Sequence, residues 1–262
     1  GGFGIKNDSI AGYSPYLQVV VTVFMILFGV NFSAYFLLLR RKFKQAFSME
    51  EVRCYLLIIL ASIVVITLSI REMYGSAGEA ARHAAFQVGS FITTTGYAST
   101  DFNLWPEVPR TILVLLMFVG ACAGSTGGGI KVTRLVILVK TIKKELHTLL
   151  HPRSLKKLKL DGHALEHETV RATNVFLIAY VLIFAFSVLL VAFDGNDLIT
   201  NFTAVASALN NIGPGLELVG PLGNFGLFSN GAKLVLIFDM LAGRLEIFPL
   251  LLLFVKDTWK KF

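Results

Sequence analysis

The sequence is poor in charged residues. Asp, Glu, Lys and Arg make up 16% of its 262 residues, whereas a soluble globular domain is about 25% charged. Hydrophobic residues account for 55%, and the mean hydropathy is +0.69. This shortage of charge argues against an ordinary soluble domain and indicates a helical membrane protein.

Cysteine is scarce as well, with only two residues, Cys54 and Cys122. Both lie in or beside apolar stretches, and their spacing fits neither a disulfide framework nor a metal site. We interpret them as small buried hydrophobes. The apolar segments also lack a nucleophile–base pair, and we therefore expect no enzyme.

The net charge of +7 raises the question of a nucleic-acid partner, but the distribution of basic residues indicates a membrane topology. Most Lys and Arg residues lie in 40–53, in 131–171 and at the C-terminus, whereas 194–230 contains none. Basic clusters mark cytoplasmic loops. We predict a multi-pass protein of the cell (inner) membrane, with these clusters cytoplasmic, the lipid bilayer as its surroundings and no nucleic-acid partner.

Four apolar runs approach or exceed the roughly 20 residues that cross a bilayer. They are Tyr16–Leu39, Cys54–Ile70, Thr169–Phe193 and Gly231–Val255. Between the second and third runs, "GEAARHAAFQVGSFI" predicts a helix of about 14 residues, roughly 21 Å long, which is too short to cross. We predict a re-entrant helix followed by non-helical chain, and "LITNFTAVASAL" predicts a second one.

The resulting unit is an outward span, a short helix, a polar glycine-containing strand, an outer loop and an inward span. It occurs twice complete and once as its second half, with strands at Gly2-Phe3-Gly4, Gly96-Tyr97-Ala98 and Gly213-Pro214-Gly215. One such strand alone reads as a glycine turn between helices. Three in the same position favour a cation filter, in which backbone carbonyls replace the water shell of the ion and short helices direct their negative C-terminal ends at it.

The segments "GGFGIK", "TTTGYAST" and "NNIGPG" resemble the second, third and fourth filter segments of the Trk/Ktr/HKT superfamily of potassium transporters, most closely the Trk-type membrane subunit. The resemblance covers the whole chain. It implies an all-α membrane protein with repeated M1–pore helix–filter–M2 units around one pseudo-fourfold pore. It also implies K⁺ as the transported ion, no organic cofactor, a homodimer and a cytosolic ring of nucleotide-binding regulatory subunits. We expect the chain to lack the first unit and most of the second.

On this resemblance, residues 1–52 end the second repeat, 53–148 form the third, 149–168 form a cytoplasmic basic linker and 169–262 form the fourth. The potassium contacts implied are Gly1, Gly2, Phe3, Thr94, Thr95, Gly96, Tyr97, Asn211, Ile212 and Gly213. The fourth strand departs from the Thr-x-Gly pattern, and Pro214 replaces the aromatic residue. Backbone carbonyls survive that change, because proline removes a donor and leaves the acceptor.

Residues 120–131, "GACAGSTGGGIK", interrupt a predicted inward helix. Each glycine inside a helix costs about 1 kcal/mol relative to alanine, so we predict a loop at this place. The P-loop pattern is not matched and no strand precedes the segment. The resemblance implies an intramembrane gate formed by Gly124, Ser125, Thr126, Gly127, Gly128 and Gly129; we call residues 120–131 the gate loop.

Arg244 lies, on this topology, about 11 residues from the inner end of its span, roughly 16 Å by helical rise. A charge at that depth must face the bundle interior or a partner. One interpretation is an ion pair with Asp239 or Glu246. The other, which the resemblance supports, is a fixed positive charge that hinders cations below the filter.

Two i,i+4 histidine pairs, His147/His151 and His163/His167, lie in the basic linker. They suit either a metal or an ordinary solvated helix, and we favour the helix. Together these features predict potassium uptake through a channel-like pore, with a secondary transporter of another cation or small solute, built from broken helices, as the alternative.

Overall fold

The computed structural model describes residues 4–152 and 157–259. These residues form helices and one hairpin whose two strands have two residues each. The predicted contacts Gly1, Gly2 and Phe3 lie outside the described residues. The helices of the first half are α1 (Pro15–Phe28), α2 (Phe32–Leu39), α3 (Phe43–Ser48), α4 (Glu50–Ile70), α5 (Ala77–Ile92), α6 (Glu107–Val119) and α7 (Val132–Leu150). The second half contains α8 (His167–Val191), α9 (Leu198–Asn210), α10 (Asn230–Arg244) and α11 (Phe248–Leu252). Strands β1 (Lys159–Leu160) and β2 (His163–Ala164) pair antiparallel between α7 and α8.

Among the described residues, two helices are long and apolar enough to cross a membrane, or three spans if the bent pair α1–α2 counts as one, and the two helices agree with two of the predicted spans. With their short 3₁₀ extensions they cover Glu50–Met73, with a mean hydropathy of 2.3, and His167–Asp194, with 2.9. Their apolar side chains point outward, and Leu60 on α4 and Leu182 on α8 are 60% and 65% exposed. Apolar surface of this extent on helices of this length is the surface that lipid covers. The prediction of an all-α membrane protein is confirmed.

The two short helices, α5 and α9, occupy the interior. Every residue of α5 from Phe86 to Ile92 is buried, as is every residue of α9 from Thr203 to Asn210. Each begins at a side-chain cap, Ser76 for α5 and Asp197 for α9. The structure thus contains both short helices that the sequence predicts, and each is followed by non-helical chain.

The first predicted span, Tyr16–Leu39, forms two helices and not one. Helices α1 and α2 are bent by 91° at residues 29–31. A Cβ at Gly29 would run into the Tyr55 hydroxyl and would lie 2.8 Å from Thr93 Cγ2. Asn31 then caps α2 by accepting a hydrogen bond from the backbone N–H of Ser33 at 2.8 Å. Tertiary packing and a local cap together break a segment whose hydropathy is uninterrupted.

The last predicted span, Gly231–Val255, is also divided into two helices. Helix α10 ends at Arg244, and Glu246 and Ile247 take positive φ angles of 56° and 66° before α11 begins. Pro249 stands in the first turn of α11. Inside a continuous helix, proline lacks the N–H donor and its ring clashes with the carbonyl four residues earlier, so the sequence did carry a signal for a break before Pro249.

The third and fourth units repeat one arrangement. Helix α5 packs between α4 and α6, and α9 packs between α8 and α10. The two units meet through Phe118 of α6, whose ring lies 5.4 Å from Phe184 of α8 and 6.0 Å from Phe202 of α9, centroid to centroid. Helix α1 packs on α5, so the first described helix belongs beside the third unit.

Candidate functional site

The two described strands that we predict to form the filter leave their short helices with the same backbone geometry. Thr94 and Asn211 have φ angles of 55° and 58°, both in the left-handed region. The next residue of each strand donates its N–H to a carbonyl five residues earlier: Thr95 to Ser90 at 2.9 Å and Ile212 to Ser207 at 2.9 Å. Although their sequences differ, strands 94–97 and 211–213 therefore repeat one local structure.

A glycine with positive φ follows in both strands. Gly96 has a φ of 84° and Gly213 a φ of 123°, conformations that side-chain-bearing residues rarely adopt. Asparagine is among the few non-glycine residues that tolerate the left-handed region, which explains how Asn211 replaces threonine in the fourth strand.

Sequence reasoning missed two serines behind the strands. The Ser90 hydroxyl donates to the Tyr97 carbonyl at 2.6 Å, and the Ser207 hydroxyl donates to the Gly213 carbonyl at 2.7 Å. Ser207 Oγ also accepts from the Gly213 N–H at 2.9 Å. Each serine precedes its strand glycine by six residues, so comparison of "SFITTTG" with "SALNNIG" would have revealed both.

These hydrogen bonds divide the predicted contact residues into two groups. The carbonyls of Tyr97 and Gly213 are engaged by serine hydroxyls. Five carbonyls accept no hydrogen bond from any other described residue: those of Thr94, Thr95, Gly96, Asn211 and Ile212. Thr94, Gly96 and Ile212 are nevertheless buried. Buried backbone carbonyls are nearly always paired in proteins. Carbonyls without a partner inside the protein therefore have lone pairs available to coordinate a cation.

An open cavity of about 540 Å³ joins the two strands to the gate loop and to the end of α10. We call it the vestibule. It is lined by Thr93, Thr94, Thr95, Tyr97, Thr126, Asn211 and Arg244. The C-terminal ends of α5 and α9 both lie at this cavity, because Thr93 and Asn211 are their C-cap residues. Each contributes the partial negative charge of a helix C-terminus, which favours a cation.

The gate loop is an excursion whose two ends meet. The N–H of Val132 donates to the Ala121 carbonyl at 3.0 Å, and Gly120 and Gly129 adopt positive φ angles of 70° and 78°. The structure thus contains the predicted interruption between α6 and α7. Gly127 and Gly128 are buried against the filter strands, whereas Gly124 and Thr126 are exposed. A Cβ at Gly128 would lie 2.5 Å from the Asn210 carbonyl.

Arg244 lies at the end of a helix and not inside one. It is the last residue of α10 and is exposed, so no continuous helix connects it to the end of the apolar run at Val255. Its Nη1 donates to the Thr126 carbonyl at 3.4 Å. The predicted partners bond elsewhere: Glu246 pairs with Arg134 at 2.6 Å, and the buried Asp239 accepts from Ser187 at 2.7 Å. Arg244 nevertheless lies at the vestibule, next to the gate loop.

None of the four histidines of the two pairs is among the residues that line the vestibule. The rings of His147 and His151 are 4.9 Å apart, centroid to centroid. Within residues 4–152 and 157–259, no group of three or more His, Cys, Asp or Glu side chains has the arrangement of a metal site.

The comparisons with known proteins agree along the whole chain. The family model for TrkH, a cation transport protein, matches residues 1–261. The Trk system potassium uptake protein TrkH of Salmonella typhimurium is 37% identical over 266 residues, and that of Escherichia coli K12 is 36% identical over 265. Each alignment covers 100% of this chain and 54% of the relative.

A solved structure is similar too. The crystal structure of the potassium transporter TrkH from Vibrio parahaemolyticus has a TM-score of 0.90 and 35% sequence identity. The match covers 99% of this chain and 56% of that one. The chain therefore spans about half the length of the relatives it matches.

Proposed function

Because the chain belongs to the TrkH family of cation transport proteins, we propose that it forms the greater part of a potassium uptake pore in the cell membrane. The ion passes between the filter strands into the vestibule, and no chemical conversion is involved. The filter contacts are the carbonyls of Thr94, Thr95, Gly96, Asn211 and Ile212, with Gly1, Gly2 and Phe3 supplying the second-unit strand. Tyr97 and Gly213 line the same path.

One observation carries this proposal: three of the five residues whose carbonyls accept no hydrogen bond, Thr94, Thr95 and Asn211, line the same vestibule as Thr126 of the gate loop and Arg244. A dehydrated K⁺ needs oxygen ligands in place of its water shell, and backbone carbonyls provide them in filters of this kind. The serine bonds to Tyr97 and Gly213 fix the outer part of each strand, so that the free carbonyls keep a defined spacing.

The gate loop and Arg244 control passage below the filter. The loop contacts strand 94–97 through Thr94 and approaches the carbonyl of Asn210, the last residue of α9. Arg244 adds a positive charge at the vestibule wall, and a fixed charge of the same sign raises the barrier for a cation. The relatives are named as parts of a Trk system. We extend to this chain the homodimer and the cytosolic nucleotide-binding ring. The ring faces the basic loops 40–53 and 131–171 and the C-terminus.

The proposal is tested by a matched pair of glycine substitutions in the full-length protein reconstituted in vesicles. Gly96 and Gly195 have similar φ angles of 84° and 75°, and nothing lies within 4 Å of a Cβ added at Gly195. Gly96→Ala strains the filter strand and should reduce rubidium uptake and the preference for K⁺ over Na⁺. Gly195→Ala introduces comparable strain in an outer turn and should leave both unchanged.

Two results would contradict the proposal. One is a folded Gly96→Ala protein with wild-type uptake and cation preference. The other is an absence of rubidium uptake in the wild-type protein together with uptake of an organic solute, which would favour the secondary transporter.

A further inference from the structure

Glu51 is a buried carboxylate that joins three separate segments. It is the second residue of α4 and is 4% exposed. Its oxygens accept hydrogen bonds from Asn31 Nδ2 at 3.0 Å, from the backbone N–H of Ala123 and from Thr133 Oγ1. Asn31 lies in the α1–α2 bend, Ala123 in the gate loop and Thr133 in the first turn of α7. One carboxylate therefore connects the bend, the loop and the helix that follows the loop.

Backbone contacts hold the bend and the gate loop together around Glu51. The N–H of Cys122 donates to the Gly29 carbonyl at 3.0 Å, and the N–H of Phe32 donates to the Gly124 carbonyl at 3.3 Å. The Thr126 hydroxyl donates to the Phe28 carbonyl at 3.4 Å. The first half of the loop is thus attached to the residues where the first predicted span is broken.

The donor set requires a carboxylate. Three donors converge on Glu51, and an ionised carboxylate offers about four acceptor sites on its two oxygens, with bonds stronger than those between neutral groups. A glutamine at this position would place its NH₂ group, which is itself a donor, opposite one of these donors, and that hydrogen bond would be lost. Asn31 cannot accommodate this by reversing its amide, because Asn31 Oδ1 caps α2 at the Ser33 N–H.

Lys131, the nearest basic residue along the loop, does not neutralise Glu51 directly. Its Nζ donates to the Gly127 carbonyl. Among the described residues, no Lys or Arg side chain lies within ion-pair distance of Glu51. The carboxylate is therefore satisfied by the groups whose positions it fixes.

We propose that Glu51 is a positioning residue for the gate loop, holding residues 121–124 against the α1–α2 bend so that Gly127 and Gly128 lie under the filter strands. The positioning of the loop by Glu51 does not depend on what the protein transports. Its effect on gating rests on the proposed function. Loss of the carboxylate frees the loop, while the filter strands, which Glu51 does not touch, keep their geometry.

The positioning is tested first without measuring transport. Cys122 is fully buried beside Ala123, and Cys54 is removed by Cys54→Ser so that Cys122 is the only thiol of this chain. Any cysteine elsewhere in the full-length protein is replaced as well. Glu51→Gln should accelerate labelling of Cys122 by a membrane-permeant maleimide on the order of tenfold, the effect of one lost hydrogen bond to a charged group. Glu51→Asp, which keeps the carboxylate, should restore much of the protection.

Glu50→Gln is the matched control. Glu50 is the neighbouring residue of α4, but its carboxylate pairs with Lys140 and accepts from the Asp161 N–H at 3.2 Å, on the hairpin side. It should leave Cys122 labelling unchanged. Equal labelling in the wild type and in a folded Glu51→Gln protein overturns the proposal, and so does equal acceleration by Glu50→Gln.

Rubidium uptake supplies the second readout. Glu51→Gln should raise the maximal rate and leave KM and the preference for K⁺ over Na⁺ unchanged, since the filter is not contacted. A change in KM together with the cation preference would place the effect in the filter and overturn the proposal. If the wild type itself transports no rubidium, the proposed function fails, whereas the labelling result still decides the role of Glu51.

Discussion

The backbone N–H of Gly128 donates to the hydroxyl of Thr94 at 2.7 Å, so the gate loop and the third filter strand are in direct contact. The end of α9 is close to Gly128 as well, because a Cβ at Gly128 would lie 2.5 Å from the Asn210 carbonyl. The loop therefore fills the narrow space between the ends of α5 and α9. A change in its position must alter its contacts with Thr94 and with the end of α9.

Gly128→Ala should disturb this fit. The added methyl meets a backbone carbonyl that cannot rotate away, so either the loop or the end of α9 must shift. We expect a change of at least severalfold in the maximal rate of rubidium uptake, measured in vesicles. Gly231→Ala is the control, because its Cβ would have no neighbour closer than 3.8 Å. Wild-type uptake by a folded Gly128→Ala protein would show that the close contact has no influence on passage.

Ser207→Ala should destabilise the protein more than Ser90→Ala. Ser207 makes two hydrogen bonds to Gly213, whereas Ser90 makes one to Tyr97. A buried polar group left unpaired costs about 1–3 kcal/mol, and Ser207→Ala leaves both a carbonyl and an N–H without this partner. Thermal unfolding of the purified variants measures the difference. An equal loss in both, or a larger loss in Ser90→Ala, would contradict the prediction.

Asp197→Asn should reduce the acid sensitivity of the fourth unit. Hydrogen bonds from Thr200 lower the pKa of Asp197 below its usual value. A carboxylate with a depressed pKa contributes stability that is complete above its unfolded pKa, about 3.9, and is lost as the pH falls through the folded value. Asparagine caps helices about as well as aspartate, so the two proteins should have similar melting temperatures at pH 7.

The comparison is made by following unfolding from pH 7 to pH 3. The wild-type protein should lose more stability than Asp197→Asn over the acidic part of this range. Parallel curves would show that the cap of α9 does not contribute to acid unfolding.

Hydropathy and helix length predicted the parts of this fold that local sequence determines. Helices α5 and α9 are short because a cap begins each one and a polar strand follows, and the glycines after Val119 end α6. The bend after Phe28 was not predictable in this way, since a single glycine in an apolar run is compatible with a helix. It depends on Tyr55 and Thr93, which approach Gly29 from other segments.

The candidate site shows the same limit. The strand glycines and the asparagine substitution were readable from the sequence, because they concern backbone conformation. The sequence did not reveal which carbonyls accept no hydrogen bond, because this depends on the Ser90 and Ser207 hydroxyls. The contacts of Glu51 were equally hidden, because its three donors come from residues that are 20 to 82 positions away along the chain.

Arg244→Ala should increase ion flux. The guanidinium lies at the vestibule wall, and its hydrogen bond to the Thr126 carbonyl ties the end of α10 to the gate loop. Removal eliminates both the repulsive charge and this restraint. Arg244→Lys separates the two effects, because lysine keeps the charge but lacks the fork of donors. If repulsion dominates, only the alanine variant raises rubidium uptake; if the restraint dominates, both do. Unchanged uptake in a folded Arg244→Ala protein would remove Arg244 from the gate.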